Sequence, residues 1–474
     1  MITLDDPEKQ NIVDRVFAHG QGHVFRFWDE LDAGARDALL AQLGAVDFAL
    51  LDPLIEKFVT NPVEETRPAE LVPSPAIPVP RTEAERNRYR AAVAAGEEAL
   101  RRGEVCAFLV AGGQGSRLGF DGPKGIFRIG PLSDKMLFQI HAEKIIALRE
   151  KYRSPIRWYI LTSETNDAET REVFAREGFF GLPESDVVFF TQGMIPAVDG
   201  QGRLVLDLKH HVFENPNGTG GALLALYERG ATADMKRHGV RYIFYFQVDN
   251  PIVQMLDPAY VGYHILEDSE MSMKVVDKAC PEEKVGIVCI ADGENRLIEY
   301  SDFPPELMTA TEADGRLRFR AGSIAIHVLN RDFVERICEG GFKIQFHRAE
   351  KALPTLDAAG NPVAPTGKNG IKFESFVFDA IPLAKKIMNM ETPREDDFAP
   401  VKNAEGVDSP ASARQLMTNM FGRWCEKAGI DIPRDPEGDV KGVIEISPLY
   451  ALTEDDFVAR VDTNLKFTGE LYLE

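Results

Sequence analysis

The chain has 474 residues, a length that predicts about three domains. Of these residues 44% are hydrophobic and 27% charged, a composition typical of an ordinary globular protein. It carries 75 acidic and 54 basic residues, and the resulting net charge of −21 argues against broad binding to nucleic acid or to an anionic membrane. Its five cysteines contain no C-x-x-C spacing, which disfavours a disulfide framework or a zinc site. The first ten residues are polar and acidic, and no apolar run reaches the roughly 18 residues of a membrane span, so we expect a cytoplasmic location without membrane partners.

The first part of the chain is predicted to be helical. Within residues 9–58, Val24, Phe27 and Leu31 recur at helical spacing. Six prolines between positions 62 and 80 then predict an extended connector. Thr82 and Glu85 have the spacing of a capping box, which predicts a helix that runs to about Arg102.

From residue 103 the pattern changes to an alternation of strands and helices. Apolar runs predict strands at 105–111, 157–162, 187–191, 242–248, 285–290 and 321–329. Amphipathic segments predict helices at 134–151, 165–177 and 220–238. This alternation is typical of an α/β sheet with largely parallel strands, in which ligands collect at the carboxyl ends of the strands. We therefore expect a helical domain at 1–102, a main α/β domain at 103–390 and a small strand-rich domain at 391–474.

The most informative segment is a glycine-rich loop after the first of these strands. Between Val105 and Gly130 the chain reads VCAFLVAGGQGSRLGFDGPKGIFRIG, with seven glycines from position 112 onward. Glycine lets the backbone approach a ligand closely, and exposed backbone N–H groups after a strand bind anions. Arg117 and Lys124 would add positive charge for a polyphosphate. The alternative is a tight structural turn with two solvated cations.

The spacing of the glycines excludes two common nucleotide motifs. A P-loop requires G-x-x-x-x-G-K-S/T, and this string does not occur. The dinucleotide fingerprint requires G-x-G-x-x-G, but counting from Gly113 the sixth position is Leu118. An NAD-dependent dehydrogenase is therefore disfavoured, and the loop belongs to another class of nucleotide site.

Other candidate residues are less specific when taken alone. Asp249 and Asn250 end the apolar run RYIFYFQVDN, where a carboxylate can hold a divalent cation beside phosphates or can close an Asx turn. Gln192 offers both a donor and an acceptor for the edge of a base. The histidines have no partners at a revealing spacing, and we expect structural roles for them, since an ionised phosphate nucleophile needs no general base.

Several of these motifs together resemble those of the UDP-sugar pyrophosphorylase family, and most of all its eukaryotic-type UDP-N-acetylglucosamine branch. In family order the chain reads LVAGGQGSRLG with PKG, then FFTQGMIPA, NPNGTGGALLAL, VDN, AGSIAIH, NGIKFESFVFD and REDDFAPVKN. The resemblance extends from about Gly22 to Pro448. It implies a Rossmann-like, mixed and mostly parallel sheet of the GT-A-like nucleotidyltransferase type, with 103–390 as the catalytic domain.

The resemblance also implies the substrates and the site. UTP and a sugar 1-phosphate would give a UDP-sugar and pyrophosphate, with Mg²⁺ (or Mn²⁺) held by Asp249. Residues implied in catalysis are Arg117, Lys124 and Lys402. Residues implied in nucleotide binding are Leu109, Ala111, Gly112, Gly113, Gln192, Gly218, Asp249 and Lys372. Residues implied in sugar binding are Thr219, Glu299, Ser323, Phe376 and Phe378, although core packing is an equal alternative for the two phenylalanines.

Two departures from the family pattern lie where the sugar would be recognised. Thr219 stands in GTGG where the family typically has an asparagine, and Ser323 and Ile326 replace both asparagines of A-G-N-I-A-N-H. Because shorter hydroxyls offer different hydrogen bonds, uridylyl transfer is better supported than the identity of the sugar. N-acetylglucosamine 1-phosphate is the expected substrate. Glucose 1-phosphate or a broad range of sugars is the alternative, and a non-catalytic UDP-sugar sensor is the alternative from another class.

Overall fold

The computed structural model describes residues 2–62 and 68–474. The described residues form two compact units. The hairpin unit takes its residues from 2–62, 193–222 and 343–379, and the sheet unit takes its residues from 68–192, 223–342 and 380–474.

Helices and strands alternate through most of the chain. The α-helices are α1 (Pro7–Ala18), α2 (Ala33–Ala45), α3 (Phe48–Ile55), α4 (Glu83–Arg101), α5 (Leu137–Tyr152), α6 (Asp167–Arg176), α7 (Gly221–Glu228), α8 (Ala231–Arg237), α9 (Pro258–Leu266), α10 (Pro305–Met308), α11 (Arg331–Cys338), α12 (Arg394–Asp397), α13 (Pro410–Lys427) and α14 (Glu454–Arg460). The strands are β1 (Leu71–Pro73), β2 (Val105–Val110), β3 (Trp158–Thr162), β4 (Val187–Thr191), β5 (Met194–Pro196), β6 (Leu206–Leu208), β7 (His211–Val212), β8 (Glu214–Pro216), β9 (Tyr242–Gln247), β10 (Met271–Asp277), β11 (Ile287–Ala291), β12 (Glu294–Ile298), β13 (Ala321–Asn330), β14 (Phe346–Lys351), β15 (Thr355–Leu356), β16 (Pro362–Val363), β17 (Gly370–Ser375), β18 (Ile387–Glu391), β19 (Val443–Ile446) and β20 (Glu470–Leu473).

The sheet unit is built on a ten-stranded mixed sheet in the order β1-β11-β13-β9-β2-β3-β4. Strands β9, β2, β3 and β4 are parallel to one another, whereas β13 is antiparallel to β9. Off this path β10 pairs with β13 and β18, and β12 pairs with β11. Strands β2 and β3 are apolar and almost entirely buried, as expected for parallel strands with both faces covered. The predicted mixed α/β fold is confirmed, with its parallel pairing concentrated in one half of the sheet.

Helices α4 and α9 of the sheet unit cross at two glycines. A Cβ atom on Gly96 would lie 1.9 Å from the Pro258 carbonyl oxygen, and one on Gly262 would lie 1.6 Å from the Ala92 carbonyl oxygen. The backbones therefore touch directly, because neither position leaves room for a side chain.

The hairpin unit combines the N-terminal helices with four short two-stranded sheets. Asp6, Asp32 and Asp47 cap α1, α2 and α3 by accepting backbone N–H bonds, which confirms the helical N-terminal region. The antiparallel pairs are β5–β8, β6–β7, β14–β17 and β15–β16.

Most predicted elements are present, with two informative differences. The capping box of Thr82 and Glu85 is formed at the start of α4. The helix predicted at 220–238 is instead two helices, α7 and α8, because Gly230 takes a φ of +76° between them. The C-terminal region pairs β19 with β20, but it also contains the 18-residue helix α13, which we did not predict. Among the described residues no single helix has the length and apolar character to cross a bilayer, although the bent pair Ala33–Ala45 and Phe48–Thr60 meets those criteria together.

Candidate active site

The glycine-rich loop leaves β2 and folds back on itself. Gly115 N–H donates to the Gly122 carbonyl at 2.9 Å, and Lys124 N–H donates to the Gly113 carbonyl at 3.1 Å. Asn166 Nδ2 donates to the Ala111 carbonyl at 2.9 Å, which fixes the start of the loop. A Cβ on Gly113 would meet no atom within 4 Å, so this glycine faces open space. The loop therefore presents a small, exposed stretch of backbone at the carboxyl end of a buried strand, with the buried Leu109 and Ala111 leading into it.

The two cations of the loop are in different environments. Arg117 is exposed, and it makes no hydrogen bond or ion pair with any of the residues that the structure describes. Lys124 is mostly buried, and its Nζ lies 3.2 Å from Asp249 Oδ2. Asp249 follows β9, the parallel neighbour of β2, so the sheet brings these predicted residues together at one edge.

Asp249 is held in place through its own backbone. Its carbonyl accepts the Val401 N–H at 2.9 Å, which brings the segment containing Lys402 beside the end of β9. Lys402 is half-buried, and its Nζ lies 5.3 Å from the Phe398 ring centroid. Three of the predicted charged residues, Lys124, Asp249 and Lys402, therefore belong to neighbouring segments of the sheet unit.

Asp408 is an acidic residue near this group that sequence reasoning missed. Its carbonyl accepts the Lys402 N–H at 2.6 Å. Burial raises the pKa of its carboxyl, which Lys402 opposes and Asp249 reinforces. No motif in the sequence marks Asp408, because it acts on Lys402 through the backbone of a turn.

The remaining predicted residues of the sheet unit lie on several strands. Gln192 is buried directly after β4, where its N–H donates to the Thr162 carbonyl at 2.9 Å. Ser323 lies near the start of β13, and β13 runs antiparallel to β9 with His327 opposite Tyr245. Ser323 therefore lies at the sheet edge where β9 ends. Glu299 follows β12, and its carbonyl accepts two backbone N–H groups at 3.0 Å in a turn.

In the hairpin unit, Gly218 and its neighbours pack tightly against Ser375. Gly218 takes a φ of +85°, and a Cβ there would lie 2.1 Å from the Ser375 carbonyl oxygen. The N–H of Gly220 donates to the same oxygen at 2.9 Å. Glycine is therefore required at position 218 both for its conformation and for space.

Thr219 already uses its hydroxyl in this packing. Thr219 Oγ1 accepts the Val377 N–H at 3.2 Å. The hydroxyl therefore supports the segment that carries Phe376 and Phe378. Ser323 Oγ of the sheet unit likewise accepts a backbone N–H, that of Ala325 at 3.4 Å.

The two phenylalanines of the hairpin unit stack on each other at 4.9 Å and are half-buried. Val377 between them is the residue that enters the core. Both rings therefore keep part of their surface exposed. Lys372 lies on β17 with its Nζ 5.0 Å from the Phe213 ring centroid, and burial lowers its pKa.

Two buried basic residues beneath the end of β9 were not predicted. His141 Nε2 donates to the Val248 carbonyl at 3.0 Å, and burial lowers its pKa to about 3. Lys144 Nζ donates to the carbonyls of Pro251 and Val253, and burial lowers its pKa to about 7. Both side chains come from α5 and bond backbone on either side of Asp249. Their sequence signal is weak, because they lie within an ordinary helical pattern.

The donor set around Asp249 fits a cation shared with a nucleotide. Among the residues that the structure describes, no three His, Cys, Asp or Glu side chains gather into a closed metal site. Mg²⁺ commonly binds one or two protein carboxylates, with phosphates and water as the other ligands. Asp249 is one carboxylate at a strand end beside the glycine-rich loop, which is compatible with that type of site.

The sheet unit also contains a cavity of about 590 Å³ that this charged group does not line. Lys144, Pro251, Met417 and Trp424 are among its lining residues. Arg117, Lys124, Asp249 and Lys402 do not line it. We therefore place the candidate active site at the strand ends and not in this cavity.

The chain is similar to known proteins over most of its length. The family model described as UTP–glucose-1-phosphate uridylyltransferase matches residues 63–460. The chain is 37% identical to human UDP-N-acetylhexosamine pyrophosphorylase-like protein 1, covering 94% of this chain and 93% of the human protein. It is 33% identical to UDP-N-acetylglucosamine diphosphorylase 2 of Arabidopsis thaliana, over 95% of this chain and 91% of the plant protein.

The fold also matches that of a known crystal structure. The crystal structure of uridine diphosphate N-acetylglucosamine pyrophosphorylase from Trypanosoma brucei, in complex with an inhibitor, superimposes with a TM-score of 0.81. It covers 100% of this chain and 99% of that one at 24% identity, so it supports the fold alone. The family match and the two relatives establish what the sequence motifs indicated: this chain belongs to the UTP–glucose-1-phosphate uridylyltransferase family.

Proposed function

We propose that the protein transfers the uridylyl group of UTP to N-acetylglucosamine 1-phosphate, releasing pyrophosphate. The observation that carries the proposal is the ion pair of Lys124 with Asp249 at the end of β9, next to the glycine-rich loop. The relatives named for UDP-N-acetylglucosamine support the choice of sugar.

In this reaction an oxygen of the sugar phosphate attacks the α-phosphorus of UTP. The new P–O bond forms as the bond from the α-phosphorus to the bridging oxygen breaks, and pyrophosphate leaves. The attacking oxygen is already ionised at neutral pH, so the reaction needs no general base. Catalysis then depends on positioning and on stabilising the charge that develops.

Side chains of the sheet unit would position the substrates and would stabilise the developing charge. Arg117 has no partner among the described residues, so its guanidinium is available to bind the β- and γ-phosphates and to stabilise the leaving pyrophosphate. Lys124 adds a second charge from the same loop. Lys402 would orient the sugar phosphate.

Asp249 would hold the divalent cation. Mg²⁺, or Mn²⁺ in its place, would neutralise phosphate charge as a Lewis acid when bound. The partly buried position of the carboxylate supports this role, because fewer competing waters reach it.

In the hairpin unit, Gly218 and Lys372 would contribute to nucleotide binding, and Thr219, Phe376 and Phe378 to sugar binding. The stacked, half-buried rings of Phe376 and Phe378 are suited to the apolar face of a sugar. Gln192, Glu299 and Ser323 would contribute from the sheet unit.

A broader sugar range is the second candidate, and one observation favours it. Thr219 Oγ1 accepts a backbone N–H, so its lone pairs are partly used inside the protein. A site with fewer free polar groups discriminates less between an acetamido and a hydroxyl group.

The test is pyrophosphate release from UTP and Mg²⁺ with four sugar 1-phosphates in parallel: N-acetylglucosamine, N-acetylgalactosamine, glucose and galactose. Preference for N-acetylglucosamine 1-phosphate supports the proposal. Comparable rates with glucose 1-phosphate favour the broader range. UTP binding without pyrophosphate release from any of the four would contradict catalysis and favour a UDP-sugar sensor.

A further inference from the structure

Two predicted site residues of the sheet unit are far apart in sequence but are joined by a set of short hydrogen bonds. The Asp249 carbonyl accepts the Val401 N–H at 2.9 Å, one residue before Lys402. The next residue along, Asn250, bonds the same segment twice. Its Oδ1 accepts the Ala399 N–H at 3.1 Å, and its Nδ2 donates to the Asp397 carbonyl at 2.6 Å. The segment 397–402 is therefore tied to the end of β9.

The side chain of Asp397 anchors the beginning of that segment. It is fully buried, and its Oδ1 accepts the Gln254 N–H at 2.9 Å. Its Oδ2 accepts Lys274 Nζ at 2.5 Å and Thr392 Oγ1 at 3.1 Å. One carboxylate thus bonds the loop after β9, strand β10 and the end of β18 at the same time.

The bond between Asp397 and Lys274 is a buried ion pair. Lys274 is fully buried on β10, and its Nζ also lies 2.8 Å from Asp257 Oδ2. A buried ion pair of this kind contributes little net stability compared with apolar packing, but it permits very few alternative arrangements of the groups that it joins. The arrangement that it fixes here is the path of residues 397–402.

None of these hydrogen bonds is made by the side chain of Asp249 or by the side chain of Lys402. Lys402 is the residue of the segment implied in binding the sugar phosphate, and its side chain is half-buried five residues beyond Asp397. A shift of the segment would displace Lys402 relative to Asp249, and displacements of about 1 Å in an active site can cost about a hundredfold in rate.

We propose that Asp397 is a positioning residue for uridylyl transfer: held by Lys274 and bonded to Asn250, it sets the placement of Lys402 relative to Asp249. The proposal rests on the proposed function. It assigns a role in turnover to a buried carboxylate whose hydrogen bonds go to Gln254, Lys274 and Thr392.

The test is a pair of double-mutant cycles on steady-state turnover of the full chain with UTP, Mg²⁺ and N-acetylglucosamine 1-phosphate. Asp397→Asn is measured in the unchanged protein, in a Lys402→Ala background and in an Arg117→Ala background. Asp396→Asn is the matched control, because this neighbouring carboxylate pairs with Arg423 at 2.6 Å and bonds no part of the β9 end through its side chain. Thermal melting of each variant establishes that the protein is folded at the assay temperature.

We expect Asp397→Asn to lower kcat by between about tenfold and a hundredfold. In the Lys402→Ala background the same change should lower kcat by less than about threefold, because the group that it places is gone. In the Arg117→Ala background it should have its full effect. Asp396→Asn should change kcat by less than about twofold, as expected for a partly exposed ion pair.

Equal losses in the Lys402→Ala and Arg117→Ala backgrounds would overturn the proposal, since a general loss of structure affects both alike. A normal kcat for folded Asp397→Asn would also overturn it. Where Asp397→Asn does not fold, Asn250→Ala instead removes the two bonds that tie the segment to the end of β9, at the Asp397 carbonyl and the Ala399 N–H, and leaves the pair of Asp397 with Lys274 intact. The loss of kcat caused by Asn250→Ala must then also be smaller in the Lys402→Ala background than in the Arg117→Ala background. Absence of pyrophosphate release by the unchanged protein would instead overturn the proposed function, and this role with it.

Discussion

Lys124 Nζ lies 3.2 Å from Asp249 Oδ2, so a cation of the glycine-rich loop and the carboxylate at the end of β9 neutralise each other. Their side chains are 17% and 10% exposed, which places the pair largely out of solvent. Neither partner is tied to a second charged side chain in the ion pairs of the described residues. Either group can therefore change its partner without breaking a second ion pair.

Replacing the cations of the loop should remove most of the turnover. We expect Arg117→Ala or Lys124→Ala to lower kcat at least about a hundredfold, because in the proposed reaction each cation would stabilise the leaving pyrophosphate. Steady-state pyrophosphate release measures the effect, with thermal melting as the check on folding. Arg128→Ala is a matched control, because Arg128 bonds Asp134 on the surface. Near-normal turnover in either loop variant would contradict the assigned roles.

Metal removal should abolish the activity, and replacing Asp249 should change the Mg²⁺ concentration that the activity needs. We expect chelation with EDTA to stop pyrophosphate release and added Mg²⁺ or Mn²⁺ to restore it, because phosphate charge is then neutralised. Asp249→Asn should require a higher Mg²⁺ concentration for half-maximal rate. A rate unaffected by EDTA, or an unchanged Mg²⁺ requirement in Asp249→Asn, would argue against the carboxylate as the metal ligand.

Two glycines of the predicted nucleotide site should respond differently to alanine. Gly218→Ala places a Cβ 2.1 Å from the Ser375 carbonyl oxygen at a φ of +85°, and we expect it to lower the free energy of unfolding by at least about 2 kcal/mol. Gly113→Ala meets no atom within 4 Å, so its melting temperature should be unchanged while KM for UTP rises. Thermal melting and UTP titration of both variants separate the two outcomes. Equal melting temperatures would contradict the close packing at Gly218.

Restoring the family residues should sharpen the choice of sugar. We expect Thr219→Asn with Ser323→Asn to raise the ratio of kcat/KM for N-acetylglucosamine 1-phosphate over glucose 1-phosphate by about tenfold, because an amide offers the acetamido group a longer-reaching partner. Thr219→Ser is the control that keeps the hydroxyl bonded to Val377. An unchanged ratio would place sugar recognition elsewhere.

Acidification should destabilise the fold through three buried histidines. Burial lowers the pKa of His141 to about 3 and those of His264 and His327 to about 4. Between pH 6.5 and these values the unfolded chain binds more protons than the folded one, so stability falls as the pH falls. Each histidine should cost about 2 kcal/mol between pH 6.5 and pH 5. Burial lowers the pKa of Lys144 to about 7, and its contribution changes only above that pH.

Thermal melting between pH 7 and pH 5 measures this loss of stability. His264 bonds Ser272 Oγ and Asn330 Oδ1, which a glutamine can partly replace. We therefore expect His264→Gln to be less sensitive to acid than the unchanged protein. A melting temperature that stays constant from pH 7 to pH 5 would show that these rings do not titrate as described.

The sequence predicted those parts of the molecule that local patterns encode. The glycine-rich loop, the capping box of Thr82 and the strand just before Asp249 depend on residues close together in the chain, and all are present. The anchor of Asp397 was not predictable, because its partner Lys274 is 123 positions away and reads as an ordinary strand residue. Ala325 takes a φ of +56° in β13 beside the register shift in its pairing with β10, and no single-residue preference indicates such a bulge. Helix α13 was not predicted, because the chain before it is polar and the short apolar runs after it favour strands.

The crossing of α4 and α9 has a consequence for how the chain tolerates variation. Gly96 and Gly262 have no part in the proposed chemistry, yet each holds the place of a side chain that would overlap a carbonyl oxygen of the other helix. Saturation mutagenesis with selection for activity should therefore leave glycine alone at both positions, while neighbouring exposed positions of α4 accept many residues. Two residues without functional groups would then rank among the least replaceable in the protein.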